Sequence, residues 1–363
     1  MISRRGSAHW AVPSPPVPAA VDVLVPTADR PAELAVTLAG LAAQDDPPFR
    51  VVVSDQSHDR PAEDAPAVRA MVRVLRAQGR EVAVLRHLPR RGLAEQRQFL
   101  LDAARAPRVL FLDDDVWLEP GALARLDGAL SDERCGFVGF AVQGLSYLPD
   151  VRDAEREPFQ PWGAGGVRPE RLGRDRPAFG RWTLHNAANM AHEAAARGLS
   201  DDDRLAYRVA WVGGCVLFDR EELLAAGGFG FWRDLPPGHV GEDVLAQWRV
   251  MARRGGAGIL PSGAVHLEAP TTISDRRIEA AEVVDPLPAD PDPLSTEPAP
   301  ADAGGAPGRT ADTTPGGSTR AGEKRGNDER QAEPDPDPEV PGRRRLPRGQ
   351  GRDPRRRARV GRR

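Results

Sequence analysis

The segment Val109-Leu-Phe-Leu-Asp-Asp-Asp-Val116 runs from four apolar residues directly into three carboxylates. A short, nearly continuous apolar run is typical of a strand that is covered on both faces of a sheet. Comparable runs occur at residues 21–25, 51–53 and 82–85, with helical periodicity between them. This alternation predicts an α/β fold with a mostly parallel central sheet flanked by helices. Ligands of such sheets bind at the carboxyl ends of the strands, and the three carboxylates follow one of those ends.

The helices are indicated by apolar residues that recur every three or four positions. Leu34, Leu38 and Leu41 fall at i, i+4 and i+7. Similar faces at 93–104 and 123–130 predict two further helices. The second half of the chain is less regular, and its patterns predict strands at 137–142, 211–218, 258–260 and 265–267, helices at 221–226 and 242–253, and a long loop at 149–181.

The end of the chain has a different composition. Residues 286–363 contain 14 Pro and 11 Gly but only five large apolar side chains. Such a segment buries too little apolar surface to offset its chain entropy, so we predict a disordered tail there. Residues 1–19 are predicted to be a flexible segment. The folded part of the 363-residue chain is then 20–285, which fits one large domain.

Charge and cysteine content exclude several classes of protein. The whole chain has a formal net charge of -3, and 11 arginines lie between residues 342 and 363, so the folded part is mildly acidic. This argues against nucleic acid as a specific partner. The Arg-rich run is either a solvated tail or a weak peripheral contact with anionic surfaces. Cys135 and Cys215 are too few for a disulfide framework or a thiolate zinc site. No secretory signal or transmembrane segment is recognisable, so the predicted location is the cytoplasm.

Three acidic clusters stand at the ends of predicted elements. Asp113 and Asp115 can share a Mg²⁺ or Mn²⁺ ion with phosphate oxygens, or they can cap a helix. Asp55 can bind a nucleobase or ribose, or it can make an Asx turn. Glu242 and Asp243 begin a helix, where they can interact with the helix dipole or supply a general base. Independent caps at three places explain this pattern less well than one shared site.

Six short segments follow one another in order over about residues 20–268. They are Val21-Asp-Val-Leu-Val-Pro-Thr-Ala-Asp-Arg30, Ser54-Asp-Gln-Ser57, Arg91-Gly-Leu-Ala-Glu-Gln-Arg97, Phe111-Leu-Asp-Asp-Asp115, Gly213-Gly-Cys-Val-Leu-Phe-Asp-Arg-Glu221 with Gly227-Gly-Phe229, and Gly241-Glu-Asp243. The series resembles the motifs of family 2 glycosyltransferases with the GT-A (Rossmann-like) fold. Each motif alone is weak, but six in order are fairly specific.

The resemblance implies how the chain binds a nucleotide sugar. Pro26 and Thr27 are expected to line the base and ribose pocket, Asp55 to meet the nucleobase, and Arg97 to lie near the pyrophosphate. Ala28 stands where an aromatic residue often follows the Pro-Thr pair, so this position offers no stacking surface for a base.

The resemblance also implies a metal site and a catalytic base. Asp113 and Asp115 match the DxD motif, which holds the diphosphate through Mg²⁺ or Mn²⁺, with Asp114 beside the ribose. His266 stands where some relatives place a further metal or phosphate contact, although a lone His in an apolar strand is more often structural. Asp243 matches the catalytic base, and Glu242 precedes it.

The implied reaction is metal-dependent, inverting transfer of a sugar from a nucleotide diphosphate to an acceptor hydroxyl. The acceptor is a glycan, a lipid-linked molecule or a small molecule. Residues 20–118 are expected to bind the donor and residues 119–285 the acceptor. Two alternatives stay open: a phosphatase or phosphotransferase with an Asp-x-Asp nucleophile, and a non-catalytic protein of the same fold that binds a nucleotide sugar or carbohydrate. The presence of both the DxD motif and Glu242-Asp243 favours the enzyme.

Overall fold

A computed structural model describes residues 10–12, 15, 17–271 and 276–286. The disordered tail predicted at 286–363 lies outside the described residues except for residue 286, and 12 of the 19 residues of the flexible segment predicted at 1–19 also lie outside them. Both therefore stay predictions. The folded domain predicted at 20–285 falls within the described part, apart from residues 272–275.

The first half of the chain alternates strands and helices, as its sequence predicts. The elements are β1 (Val21–Thr27), α1 (Pro31–Ala42), β2 (Phe49–Asp55), α2 (Pro66–Ala77), β3 (Val82–Arg86), α3 (Leu93–Asp102) and β4 (Arg108–Leu112). Helix α2 is not among the predicted helices, although its buried residues Val68, Val72 and Leu75 fall at i, i+4 and i+7.

The second half contains shorter elements. They are β5 (Val116–Leu118), α4 (Ala122–Glu133), β6 (Phe137–Gly139), β7 (Gln143–Gly144), α5 (Asp153–Arg156), α6 (Asn189–Ala196), β8 (Leu205–Tyr207), β9 (Cys215–Asp219), α7 (Arg220–Ala225), α8 (Glu242–Arg254), β10 (Gly256–Leu260), β11 (Ala264–His266) and α9 (Ala280–Val283). Short 3₁₀ helices lie at Ala62–Asp64, Leu145–Tyr147, Pro177–His185 and Gly230–Asp234.

Among the described residues, eight strands form the central sheet in the order β3-β2-β1-β4-β9-β6-β10-β8. The first four strands are parallel to one another, and β6 is parallel to β10. Strands β9 and β8 run antiparallel to their neighbours. The predicted α/β class with a mostly parallel sheet is confirmed. No described helix has the length and apolar character that crossing a bilayer requires.

Strand β1 is buried along its whole length because helices cover both faces of the sheet. Val23 and Val25 belong to a core cluster that α1, α2 and α4 complete. Leu24 points to the other face, into a second cluster with residues of α3 and α8. Full burial of an aliphatic side chain of this size stabilises a fold by roughly 1.5–3 kcal/mol, so this two-faced core fixes the central strands in place.

Parts of the second half differ from the predictions. The strand predicted at 211–218 begins only at Cys215, because the chain turns at Gly214, which has a φ of +71° and accepts a hydrogen bond from the Asp113 N–H at 2.9 Å. The strand predicted at 137–142 ends at Gly139. The loop predicted at 149–181 contains helix α5 and the start of the 3₁₀ helix Pro177–His185.

A second, three-stranded sheet lies beside the end of β4, in the order β5-β11-β7. Strand β11 is antiparallel to β5 and parallel to β7. The Leu267 N–H after β11 donates to the Asp115 carbonyl oxygen at 2.8 Å. This small sheet brings His266 next to the acidic segment after β4.

A buried ion pair ties β1 to β2. Arg50 donates from Nε and Nη2 to the Asp22 carboxylate at 2.8 and 3.0 Å, and the Ala106 N–H donates to the same carboxylate at 2.9 Å. Burial alone raises the pKa of Asp22, but the Arg50 hydrogen bond and the backbone donors outweigh it and hold that pKa below its ordinary value.

Asp22→Ala should destabilise the protein by about 3–5 kcal/mol, because Arg50 would stay buried without its buried partner and with only the exposed carboxylate of Glu81, at 3.6 Å, near it. Urea unfolding at neutral pH measures this change. Arg152→Ala is the matched control, since Arg152 pairs with Asp150 on an exposed surface and should leave the unfolding midpoint unchanged. Equal effects of the two substitutions would contradict a structural role for the buried pair.

Candidate active site

The carboxyl ends of β1 and β4 open into a cavity of about 320 Å³, which we call the first cavity. Six of the residues predicted from the sequence are brought together on its walls: Pro26, Thr27, Asp113, Asp114, Asp115 and His266. The other lining residues are Ala28, Arg30, Leu93, Gln96, Ala269, Thr271 and Arg276. The sequence thus identifies much of the acidic side of the cavity and none of its arginines.

Asp114 is almost fully buried, and it is held from β1 and α1. Thr27 Oγ1 donates to its Oδ2 at 2.7 Å, and Thr37 Oγ1 donates to its backbone carbonyl, also at 2.7 Å. Burial raises the pKa of Asp114 to about 6, with the Thr27 hydrogen bond and the charge of Arg30 opposing the rise. Asp114 therefore serves as a fixed wall of the cavity.

Asp115 lies between two basic side chains. Arg30 Nη1 is 2.7 Å from Asp115 Oδ2, and His266 Nε2 is 3.5 Å from the same oxygen. Burial raises the pKa of Asp115, and its contacts with His266 and Arg30 oppose this effect. His266 Nδ1 accepts a hydrogen bond from the Glu268 N–H at 2.9 Å, so a neutral ring carries its proton on Nε2. In this arrangement His266 is a donor toward Asp115, and metal ligation through Nε2 would require the other tautomer.

The two outer carboxylates of the acidic segment have the right chemistry for a hard divalent cation. Asp113 and Asp115 both line the first cavity, and the Asp113 side chain is 37% exposed. No group of three or more potential ligand side chains occurs among the residues that the structure describes. A pair of carboxylates nevertheless suits Mg²⁺ or Mn²⁺, because such ions are often held by one or two carboxylates together with substrate phosphates and water.

Arg97 joins three elements behind the cavity. Its Nε donates to Glu242 Oε1 at 2.9 Å, and its Nη2 donates to Asp113 Oδ1 at 3.1 Å. Only 5% of Arg97 is exposed, and it is not among the residues that line the first cavity. Burial alone lowers the pKa of Arg97, but the nearby carboxylates outweigh burial and raise it. The structure therefore places Arg97 as a link between α3, the end of β4 and the start of α8.

The two acidic residues that begin α8 face different surroundings. Glu242 is 2% exposed and accepts the hydrogen bond from Arg97. Asp243 is half-buried and lines a second cavity. Burial, followed by the charges of Glu242 and Asp113, raises the pKa of Asp243 to about 7, although Arg97 opposes the rise. A carboxylate with this pKa is suited to accept a proton near neutral pH.

The second cavity also has a volume of about 320 Å³ and shares Arg276 with the first. Its other lining residues are Arg174, Phe179, Trp211, Val240, Gly241, Asp243, Val244, Trp248, Glu279 and Ala281. Sequence reasoning identified Asp243 and missed the rest of this wall. Arg30 belongs to the first of the six motifs and could have been singled out there, whereas no local pattern marks Arg276.

Asp55 does not line the first cavity. It is 1% exposed, and its carboxylate accepts hydrogen bonds from the Ser57 N–H at 2.8 Å and the Ala62 N–H at 2.7 Å. Arg86 Nη1 lies 3.2 Å from the same carboxylate. The Ser57 contact is that of an Asx turn, the alternative to the predicted nucleobase contact, and the Ala62 and Arg86 contacts hold the other carboxylate oxygen.

Residues 22–173 match the family model described as glycosyl transferase family 2. This segment is similar to the catalytic domains of family 2 glycosyltransferases. The matched segment contains β1, β4 and the acidic residues after β4, so it includes the acidic side of the first cavity. The predicted GT-A architecture agrees with this assignment. Glu242, Asp243 and His266 lie beyond the matched residues. No curated protein sequence matches the chain.

Several solved structures have a similar fold. TarS 1–349 from S. aureus is 15% identical, with a TM-score of 0.43 over 68% of this chain and 60% of that chain. The structure of TarS 1–349 in complex with UDP-GlcNAc is 16% identical, with a TM-score of 0.44 over 70% of this chain and 60% of that chain. The mannosyltransferase PcManGT from Pyrobaculum calidifontis, in complex with GDP-Man and Mn²⁺, is 19% identical. Its TM-score is 0.44 over 73% of this chain and 64% of that chain. This chain thus spans about 60% of the length of these solved structures.

Asp243→Asn should stabilise the fold at pH 8 but not near pH 4. The folded protein holds the Asp243 proton up to about pH 7, whereas the unfolded chain loses it near the ordinary value of 3.8. The stability of the wild type contributed by this group therefore falls as pH rises from about 4 to about 7 and stays low above that. Urea unfolding of both proteins across this range measures the difference. A difference that does not grow with pH would contradict the raised pKa.

Proposed function

We propose that the protein is an inverting, metal-dependent glycosyltransferase that moves a sugar from a nucleotide diphosphate donor to an acceptor hydroxyl, with Asp243 as general base. The observation that carries the proposal is the position of Asp243. It lines a cavity that adjoins, through Arg276, the cavity formed by the acidic segment. Two substrates that react with each other need this arrangement of neighbouring sites.

The donor is assigned to the first cavity. Pro26 and Thr27 at the end of β1 and Asp114 after β4 form the wall where a nucleoside fits. Asp113 and Asp115 would hold Mg²⁺ or Mn²⁺, which neutralises charge on the diphosphate when bound. Arg276 lies at the border of both cavities and supplies a further positive charge for the departing diphosphate.

The reaction is a single displacement. The acceptor oxygen forms a bond to the anomeric carbon while the bond from that carbon to the diphosphate oxygen breaks, and the electron pair leaves with the diphosphate. The acceptor proton passes to the Asp243 carboxylate. Attack from the side opposite the leaving group inverts the anomeric configuration. Base catalysis of this kind contributes typically about 10²- to 10⁴-fold to the rate.

Arg97 is proposed to act as a positioning residue. It holds Asp113 of the donor side and Glu242 of the acceptor side with one guanidinium. Because this contact crosses from the donor half (20–118) to the acceptor half (119–285), we propose that the two halves depend on each other. His266, Ala269, Thr271 and Arg276 of the second half also line the donor cavity, so the division between the halves is not strict.

Asp115→Ala should remove the metal-dependent part of nucleotide affinity, because the cation would lose one of its two protein carboxylates. Isothermal titration of UDP and GDP, each with Mn²⁺ and with a chelator, measures this part. Asp132→Ala on the exposed surface of α4 is the control and should bind as the wild type does. If a chelator leaves the nucleotide affinity and turnover of the wild type unchanged, the metal-dependent proposal is wrong.

Asp243→Asn should lower turnover by about two orders of magnitude or more while donor affinity stays nearly constant, since the amide keeps the shape but cannot accept the proton. Donors tried are UDP-GlcNAc and GDP-mannose, with nucleotide release as the assay. The wild-type rate should rise about tenfold per pH unit up to about pH 7 and then level off, following the pKa of Asp243.

Glu242→Gln is the matched comparison for that variant. Glu242 contacts Arg97 rather than lining the second cavity, so the substitution should cost less turnover than Asp243→Asn. Equal losses of donor binding and rate in Asp243→Asn would make the residue a binding contact. Donor binding without turnover in the wild type would support the non-catalytic alternative.

A further inference from the structure

The second cavity has a rigid aromatic wall. The Trp211 ring stacks with Phe179 at a centroid distance of 6.0 Å and with His185 at 5.4 Å. Trp248 meets Phe179 edge to face at 6.1 Å, and its Nε1 donates to the Ala210 carbonyl at 2.8 Å. Because each ring is held by another ring or by a hydrogen bond, the wall is formed before any ligand binds.

The rest of the cavity carries balanced charge. Two of its lining residues are cationic, Arg174 and Arg276, and two are acidic, Asp243 and Glu279. Arg174 pairs with Glu279 and lies 3.5 Å from Glu282, so its charge is largely satisfied within the protein. When Asp243 is ionised, as a general base must be, an ionised acceptor would find no excess of opposite charge here. The polar groups instead offer hydrogen-bond donors and acceptors around an apolar wall.

We propose that the acceptor presents an uncharged sugar ring to this cavity; this inference rests on the proposed glycosyl transfer and names its acceptor class. A pyranose has faces of C–H groups that pack on aromatic rings and a rim of hydroxyls that pair with carboxylates and guanidinium groups. One of those hydroxyls would lie at Asp243. A volume of about 320 Å³ is at the small end of ligand pockets, which suits a single ring as the reacting unit.

Two other acceptor classes fit the cavity less well. A phenolic acceptor would cover the aromatic wall, but its few hydroxyls would pair with fewer groups of the polar rim than the hydroxyls of a pyranose. A sugar phosphate or sugar acid would bring a net charge that the balanced rim does not complement. A neutral sugar can pack on the aromatic wall and also form hydrogen bonds with the polar rim.

Saturation-transfer NMR of the full chain tests this inference without requiring turnover. The probes are the methyl pyranosides of glucose, galactose, mannose and N-acetylglucosamine, with glucose 6-phosphate and resorcinol as competing classes, each in the presence of UDP and Mn²⁺. At least one methyl pyranoside should receive saturation on its ring C–H protons, and it should do so more strongly than either competing probe.

Variants of the aromatic wall localise the binding. Trp211→Ala and Phe179→Leu should each reduce the saturation transfer at least fivefold. Phe179→Leu keeps apolar bulk, so it serves if Trp211→Ala fails to fold. Trp182→Ala is the matched control, because Trp182 is a 42% exposed tryptophan that does not line the cavity, and it should leave the signal unchanged.

The outcomes separate this inference from the proposed function. No saturation of any methyl pyranoside, stronger saturation of resorcinol or glucose 6-phosphate, or a signal that survives both wall variants would each overturn the sugar acceptor. Enzymatic release of nucleotide from a donor in the same samples would still support the proposed glycosyl transfer. Sugar binding with no nucleotide release from any donor would instead contradict the proposed function.

Discussion

The buried guanidinium of Arg97 is the contact on which the site depends. It lies between Asp113 at the end of β4 and Glu242 at the start of α8, and its positive charge also opposes the rise in the pKa of the neighbouring Asp243. Three carboxylates gathered this closely repel one another, and in a buried setting that repulsion is strong. One internal cation offsets it without occupying either cavity. The donor wall and the base are therefore held in one electrostatic unit.

This arrangement explains the two cavities. The Glu242 carboxylate pairs with Arg97 inside the protein, whereas the next residue, Asp243, faces the second cavity. Consecutive residues at a helix start point about 100° apart, so a single pair of residues can serve both purposes. Burial keeps the Asp243 proton until about pH 7, while Arg97 keeps that pKa from rising further. The base is thereby tuned by the same cation that positions it.

The sequence predicts the parts of this structure that depend on local patterns. Buried strands such as 21–25 show as apolar runs, and the acidic segment after β4 shows as three consecutive carboxylates. Arg97 is also named from its motif, but its contact with Glu242 joins residues 145 positions apart, which no local pattern reveals. The position and antiparallel direction of β9 in the sheet likewise depend on pairing between strands that are far apart in the sequence. The surroundings of His266 and Asp55 are not evident from the sequence for a related reason, since the backbone donors that fix their orientation become visible only in the fold.

The most direct test of the central claim is the pH dependence of nucleotide release in Arg97→Gln compared with Arg97→Lys. Loss of the cation removes the influence that lowers the pKa of Asp243, so the acidic limb of Arg97→Gln should move above the wild-type position of about pH 7. Arg97→Lys keeps the charge, and its limb should stay closer to that of the wild type. An acidic limb at the same pH in both variants would contradict the claim that Arg97 joins the donor wall and the base in one electrostatic unit.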